Sequence, residues 1–167
     1  GGGFGSNPVS GSTTPARLFS FDLVNTTPSS LNIGPTITLD GTAIDADGLS
    51  MSHGGLLYAF QIDGSTSRMI TIDSTTGAAA VVGTSGFMAR SLRGATYMAD
   101  GSILAVDSLN NELVRLSSLT GAILGTTKLK AGLNDYDVTN AVDIAMDAQG
   151  QIFIVQGDGL GNIEGGA

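Results

Sequence analysis

Side chains able to do chemistry are few in this sequence and are mostly of one kind. Its 167 residues include no cysteine and a single histidine, His53. Fifteen residues are acidic, and thirteen of these are aspartate. His53 falls in a predicted hairpin turn away from the other polar candidates, which indicates a surface residue rather than one member of a catalytic relay. Chemistry that depends on thiolates or on paired histidines is therefore excluded.

Two aspartate-containing turns have the residue types of a calcium loop. Residues 45–48 (DADG) place alternate aspartates before a glycine, and hard cations need several oxygen ligands. An EF-hand would need a third ligand at Leu49, so this loop is not an EF-hand. Residues 158–162 resemble one glycine–aspartate calcium repeat, which needs stacked copies to form a site. We expect ordinary turn chemistry and no cofactor, with Ca²⁺ at Asp45 and Asp47 as the alternative.

A repeated β-hairpin organises the chain around these residues. Three short apolar strands each end in a polar residue, and each follows a turn and an earlier strand: Leu57–Gln61, Ile103–Asp107 and Ile152–Gln156. The abundance of Gly, Asp, Ser and Thr, with only two glutamates, favours strands and tight turns over helices. The sequence therefore predicts an all-β chain in which each unit opens with a hairpin.

A second pair of strands follows in each unit. Met69–Asp73 aligns with Leu113–Ser117 and with Leu18–Asp22, and a Thr-Gly-Ala turn follows the first two. In the first unit we expect the fourth strand at Thr36–Leu39. The spacing is 44 residues from Met69 to Leu113 and 46 from Leu57 to Ile103. Four strands every ~40–50 residues is the period of a β-propeller blade.

The chain holds about three blades' worth of strands, offset by half a blade. The predicted organisation is a Gly/Ser/Pro-rich linker (1–16), a half-blade (17–40), two four-stranded antiparallel blades (45–83 and 91–130), a half-blade (140–157) and a Gly-rich tail (158–167). Three blades are too few to close a ring. The chain is therefore either a segment of a longer propeller or a unit that associates through its terminal half-blades. A compact four-bladed monomer is a third reading.

Polar side chains recur where each loop enters an innermost strand. They are Asp47, Arg93 and Asn140, followed two to three residues later by Ser50, Thr96 and Asp143. Such loops converge on the axis of a propeller, so we take Asp47, Arg93, Asn140 and Asp143 as binding candidates at the channel mouth. Capping of strand ends is the competing explanation. Tyr136, flanked by two aspartates, is a further candidate contact.

The charge balance limits the partners. The formal net charge is −8 and only two of the seven cationic residues are lysines, which disfavours nucleic acid and anionic membranes. No apolar stretch is long enough to insert into a bilayer. We expect a protein partner, or copies of the chain itself, at the edge strands 18–39 and 142–155.

The two central repeats resemble blades of the NHL, YVTN and related propellers found outside the bacterial cytoplasm. The resemblance is carried by LYAFQIDGSTSRMITIDSTTGAAAVVG (57–83) and GSILAVDSLNNELVRLSSLTGAILGT (101–126). It covers about residues 17–157. It implies a propeller fold and a periplasmic, surface or secreted location, and these families include binders, scaffolds and some enzymes.

Scarce catalytic residues and open half-blades lead us to predict a non-catalytic scaffold or protein-binding module, an accessory subunit of a larger assembly. One alternative is a lactonase-like, metal-dependent enzyme, for which Asp47, Asn140 and Asp143 would be the ligands and Arg93 an obstacle. The other is a filament or surface-layer subunit that joins copies through the terminal half-blades.

Overall fold

The computed structural model describes residues 15–21, 31–84, 86–138 and 141–157, and every regular element among them is a β-strand. The predicted linker, apart from residues 15 and 16, and the predicted tail lie outside these residues, as does Asn140. The described part of the chain contains no helix that is long and apolar enough to cross a membrane.

Two complete four-stranded antiparallel blades form the centre of the molecule. Blade 1 runs β5-β6-β7-β8 from first to last strand, and blade 2 runs β9-β10-β11-β12. Their bounds are Ala46–Met51, Leu57–Asp63, Thr66–Ile72 and Ala78–Val81 for blade 1, and Leu92–Tyr97, Ser102–Asp107, Glu112–Ser117 and Ile123–Lys128 for blade 2. The second strands lie between neighbours on both sides, and all six residues of β10 are buried. This explains their unbroken apolar sequence.

A two-stranded half-blade flanks the blades at each end. The N-terminal half-blade pairs β1 (Arg17–Phe21) with β2 (Leu31–Thr36), and the C-terminal half-blade pairs β15 (Ala141–Met146) with β16 (Ile152–Gln156). The fourth strand expected at Thr36–Leu39 is therefore misplaced, because β2 ends at Thr36. The following β3 (Thr38–Leu39) instead runs parallel to β8 and pairs with β4 (Thr42–Ala43).

One buried cluster lies at each boundary between blades. The first joins the N-terminal half-blade to blade 1 and includes Leu18 and Ile70. The second, with Phe60 and Leu116, joins blades 1 and 2, and the third, with Val106 and partly buried Ile154, joins blade 2 to the C-terminal half-blade. Apolar burial between faces of successive sheets is the force that holds such an array together.

The blades converge at their first strands. β9 contacts β5 on one side and β15 on the other, whereas the last strand of blade 2, β12, is exposed along its whole length. We call β5, β9 and β15 the inner strands. This radial arrangement of four-stranded sheets, with their inner strands side by side, is that of a β-propeller segment.

Candidate functional site at the channel mouth

Three polar side chains occupy one level of the inner strands. Asp47 is opposite Phe60 in blade 1, Arg93 is opposite Val106 in blade 2, and Asp143 is opposite Val155 in the C-terminal half-blade. Phe60, Val106 and Val155 occupy equivalent positions in the second strands of their sheets. The mouth row therefore consists of Asp47, Arg93 and Asp143, where the sequence alignment had grouped Asp47 and Arg93 with Asn140.

A shift of register explains the difference. In blades 1 and 2 the inner strand has a bulge between the hairpin turn and the mouth row, just before Asp47 and Arg93 are reached. β15 instead pairs regularly with β16 from the turn to Asp143, and its bulge, at Val142, lies beyond the row, so Asp143 stands at the level of Arg93. Counting residues from the hairpin turn cannot detect such a bulge. Ser50 and Thr96 lie further along their strands, opposite Tyr58 and Leu104, and are partly buried.

Glycines allow the inner strands to approach each other at this level. Gly48 and Gly94 both have positive φ angles, of 61° and 56°. A Cβ atom on Gly94 would lie 2.6 Å from the Ile144 nitrogen and 2.7 Å from the Asp143 Cα atom. A Cβ on Gly48 would lie 2.8 Å from the Gly94 carbonyl carbon. The backbones of three successive inner strands are thus in direct contact beside the mouth row.

Asp47 and Arg93 form an ion pair across the boundary between blades 1 and 2. The Arg93 Nη1 atom donates to Asp47 Oδ2, and the Gly48 amide donates to Asp47 Oδ1 at 2.7 Å. Both side chains are largely shielded from solvent. Nη1 is the only Arg93 side-chain donor that bonds to a described residue, so the guanidinium retains donors for a ligand.

Asp143 is the exposed member of the row. Its Oδ1 accepts a 2.8 Å hydrogen bond from the Ile144 amide, the same local bond that Asp47 makes with Gly48. Among the described residues no lysine or arginine forms an ion pair with it, and its Oδ2 accepts no hydrogen bond from them. Within the described residues, the Asp143 carboxylate can therefore accept a further hydrogen bond. It lies on the strand next to Arg93, whose guanidinium is held in place by Asp47.

Tyr136 lies apart from the mouth row. Its hydroxyl donates to Gln156 Oε1 at 3.2 Å, and Gln156 Nε2 donates to the Asp137 carbonyl oxygen at 3.1 Å. These bonds attach the loop before β15 to the end of β16. Between blade 2 and this loop, β13 (Lys130–Ala131) and β14 (Asn134–Asp135) form a small hairpin.

The described carboxylates do not form a metal cluster. Asp45 is exposed, and the carboxylate of Asp47 is already bound by Arg93 and the Gly48 amide. Across the described ranges no group of three or more His, Cys, Asp or Glu side chains could hold an ion. Of the three ligands named for the metal-dependent alternative, Asn140 lies outside the described residues, so that ligand set stays a prediction.

A buried ionic network that the sequence analysis missed lies at the end of β10. Asp107 is fully buried and accepts hydrogen bonds from Arg90 Nη1 and Asn110 Nδ2, both at 2.7 Å, and from the Ser91, Leu109 and Asn110 amides. Arg90 also donates to Glu112 at 2.9 Å. This hydrogen bond, reinforced by Lys128, holds the pKa of Glu112 below its ordinary value. Asp107 occupies the position that Gln61 and Gln156 hold in the other hairpins. This replacement of an amide by a carboxylate is the sequence feature from which the network could have been predicted.

His53 matches the expectation of a surface residue. It is exposed in the turn between β5 and β6, and its ring meets the Tyr97 ring edge-on at a centroid distance of 5.6 Å. Of the chemistry-bearing residues considered from the sequence, the structure brings together Asp47, Arg93 and Asp143 and leaves His53 and Tyr136 outside the row.

Comparison with known proteins finds similarity at the level of solved structures only. No protein-family profile matches the sequence, and no curated protein does. Two similar solved structures are a streptogramin B lyase, with 16% identity and a TM-score of 0.47, and a luciferin-regenerating enzyme, with 13% identity and a TM-score of 0.44. The matches cover 76% and 70% of this chain but only 38% and 36% of those proteins. Both are β-propellers, which agrees with the predicted fold.

These names correct two predictions. The chain was expected to be a non-catalytic scaffold or binding module and not an enzyme, whereas both of the similar propellers are named enzymes. At such identities the likeness itself shows only the fold. The activity proposed below therefore rests on the residues of this chain.

Proposed function

We propose that this chain forms part of a propeller enzyme that hydrolyses a small ester or lactone at the channel mouth. The observation that carries the proposal is the mouth row, in which an exposed carboxylate, Asp143, follows a fixed guanidinium, Arg93, on the adjacent inner strand. The proposal includes membership of a propeller family of the NHL or YVTN kind and a location outside the bacterial cytoplasm.

Asp143 acts as the general base. Its Oδ1 is oriented by the Ile144 amide, and Oδ2 is available to accept a proton from a water molecule. As the water oxygen bonds to the carbonyl carbon, negative charge develops on the carbonyl oxygen. The bond to the leaving alcohol oxygen then breaks, and Asp143 returns the proton to that oxygen.

Arg93 stabilises the developing negative charge. Its ion pair with Asp47 holds the guanidinium in place before substrate binds, so little reorganisation is needed during the reaction. The N–H groups not used by Asp47 supply the donors.

Hydrolysis assays on matched variants test the proposal. The folded protein is incubated with a panel of aliphatic lactones and p-nitrophenyl acetate, and release of acid or nitrophenol is followed. Asp143→Asn should lower kcat about 100-fold or more. The control is Asp40→Asn, a change at an exposed turn residue whose φ of 51° an asparagine tolerates. Absence of hydrolysis by the unmodified protein, or an Asp143→Asn variant with full activity, would contradict the proposal.

A further inference from the structure

Aspartate–glycine pairs recur in the described part of the chain, and in each of them the glycine has a positive φ angle. The pairs are Asp40–Gly41, Asp47–Gly48, Asp63–Gly64 and Asp100–Gly101. In such a pair the glycine nitrogen is able to attack the carboxyl carbon of the aspartate side chain, because glycine has no Cβ atom to shield its nitrogen. The contacts of each pair decide whether it has the freedom to react.

The reaction rearranges the main chain and leaves its atoms in balance. The glycine nitrogen bonds to aspartate Cγ, the Cγ–OH bond breaks, and the hydroxyl group leaves with the amide proton as water, which gives a succinimide ring. Water then opens the ring. Opening at Cγ restores aspartate, whereas opening at the main-chain carbonyl carbon gives isoaspartate, in which the main chain runs through Cβ and Cγ. Ring closure fixes the rotation about the bond between Cα and the carbonyl carbon, so a pair reacts only where the main chain is free to rotate there.

Asp40 and Gly41 form the two-residue loop of the β3–β4 hairpin. Their φ angles of 51° and 77° are those of a type I′ turn. Both residues are exposed, and nothing lies within 4 Å of a Cβ atom placed on Gly41. No described residue binds the Asp40 carboxylate, the Asp40 carbonyl oxygen or the Gly41 amide. Only two residue pairs of β3 and β4 close the hairpin below this loop, so little opposes rotation within it.

Asp63–Gly64 is equally exposed but is held at the bond that must rotate. Thr66 Oγ1 donates to the Asp63 carbonyl oxygen at 2.8 Å. Asp63 is also opposite Thr66 at the end of seven consecutive residue pairs between β6 and β7. Rotation of the Asp63 carbonyl group would break this bond and the end of a long ladder. The pair is therefore an internal control that has the same two residue types in a fixed setting.

The remaining two pairs are held by their carboxylates. Asp47 Oδ1 accepts a hydrogen bond from the Gly48 amide at 2.7 Å, and Gly48 is buried against the backbone of β9. The Asp100 carboxylate accepts bonds from the Ser102 amide and hydroxyl at 2.9 and 2.6 Å. These bonds lower the pKa of Asp100, so the uncharged carboxyl group that the glycine nitrogen attacks is scarcer there.

We infer that Asp40–Gly41 is a site of spontaneous isoaspartate formation, at which the Gly41 nitrogen attacks Asp40 Cγ. This pair combines a free carboxylate, a free carbonyl group and a short hairpin, and each of the other three described pairs lacks at least one of these features. The inference does not rest on the proposed hydrolysis, and every contact that it uses lies between described residues.

The modification should open the tip of the hairpin and leave its base in place. Isoaspartate adds one atom to the main chain, so the loop no longer matches the pairing of Leu39 with Thr42. At the base, Ile37 and Ile44 are buried in the first cluster, and the Ile44 amide donates to the Ile37 carbonyl oxygen at 3.1 Å. Hydrogen exchange of the modified chain should therefore be faster at Thr42 and unchanged at Ile44. Because β3 pairs with β8, the outer edge of blade 1 would lose part of its cover.

Peptide mapping of the aged protein tests the inference. The native chain is kept in a mildly acidic buffer for several weeks and digested, and mass spectrometry locates isoaspartate and the succinimide, which is one water molecule lighter. Isoaspartate should accumulate several-fold faster at Asp40 than at Asp63 and be absent at Asp47 and Asp100. In the chain unfolded by urea the four sites should react at similar rates. Equal rates at Asp40 and Asp63 in the native chain, no reaction at Asp40, or the same ranking in urea would overturn the inference.

Two variants test the physical reasons for the ranking. Thr66→Val removes the hydroxyl group that holds the Asp63 carbonyl oxygen and keeps a β-branched residue in the strand, so it should speed the reaction at Asp63 several-fold and leave Asp40 unchanged. Gly41→Ala places a Cβ atom beside the attacking nitrogen where no neighbour lies within 4 Å, and it should suppress the reaction at Asp40. Circular dichroism establishes that the sheets of both variants are intact. Unchanged rates in either variant would contradict the inference.

Discussion

Replacing Gly94 by alanine tests the contact between inner strands on which the mouth row depends. Gly94 lies in β9 with a φ of 56°, and an added Cβ atom would meet the backbone of β15 at 2.6–2.7 Å. Real Cβ atoms do not approach backbone atoms so closely, so β15 would have to move away from β9. Because the conflict is with backbone and not with a flexible side chain, relaxation of a rotamer cannot relieve it.

The expected loss of stability has two parts. Alanine in a left-handed conformation costs about 1 kcal/mol. Forcing an additional carbon atom into a close-packed boundary costs about 2 kcal/mol more. Gly64→Ala is the matched control, because Gly64 has a φ of 59° and nothing within 4 Å of the added Cβ. We therefore expect a loss of about 3 kcal/mol for Gly94→Ala and about 1 kcal/mol for Gly64→Ala.

Urea unfolding at one fixed protein concentration measures both values, since association would otherwise change the midpoint. The difference of about 2 kcal/mol between the variants isolates the contact from the backbone strain that they share. Equal losses would show that β9 and β15 are not in backbone contact, and the placement of Asp143 beside Arg93 would then be wrong.

Two further predictions concern the buried network of blade 2. Asp107→Asn removes the charge that faces Arg90 in a fully buried position and should lower the free energy of unfolding by about 3 kcal/mol. Asp100→Asn, in a half-exposed ion pair with Arg115, should lower it clearly less in the same urea assay. The hydrogen bond from Arg90 lowers the pKa of Glu112 in the folded state, so its stabilising contribution is complete above the ordinary pKa of about 4.5 and is lost as the pH falls through the lower folded value. Glu112→Gln should therefore flatten the fall of the urea midpoint as the pH is lowered from about 5, and an unchanged slope would show that Glu112 does not contribute to it.

The repeat made most of the strands predictable. β16 has the predicted bounds, Ile152–Gln156, because alternating turns and apolar runs limit a strand to a few positions. The strand at the end of the N-terminal half-blade was misplaced since it contains Pro35, which suggests a loop. Proline is tolerated there because β2 is an outermost strand, paired on one side only among the described residues.

The mouth row was predictable only in part. Asp47 and Arg93 follow from their position at the start of the inner strands. Asp143 reaches the same level because the bulge of β15 lies beyond the row and not before it, and this depends on how β15 pairs with β16. The prediction that the chain is not an enzyme, which the two named enzymes contradict, had a related weakness. It counted histidines and cysteines, whereas catalysis requires only a few groups that the fold places together, and composition does not report their placement.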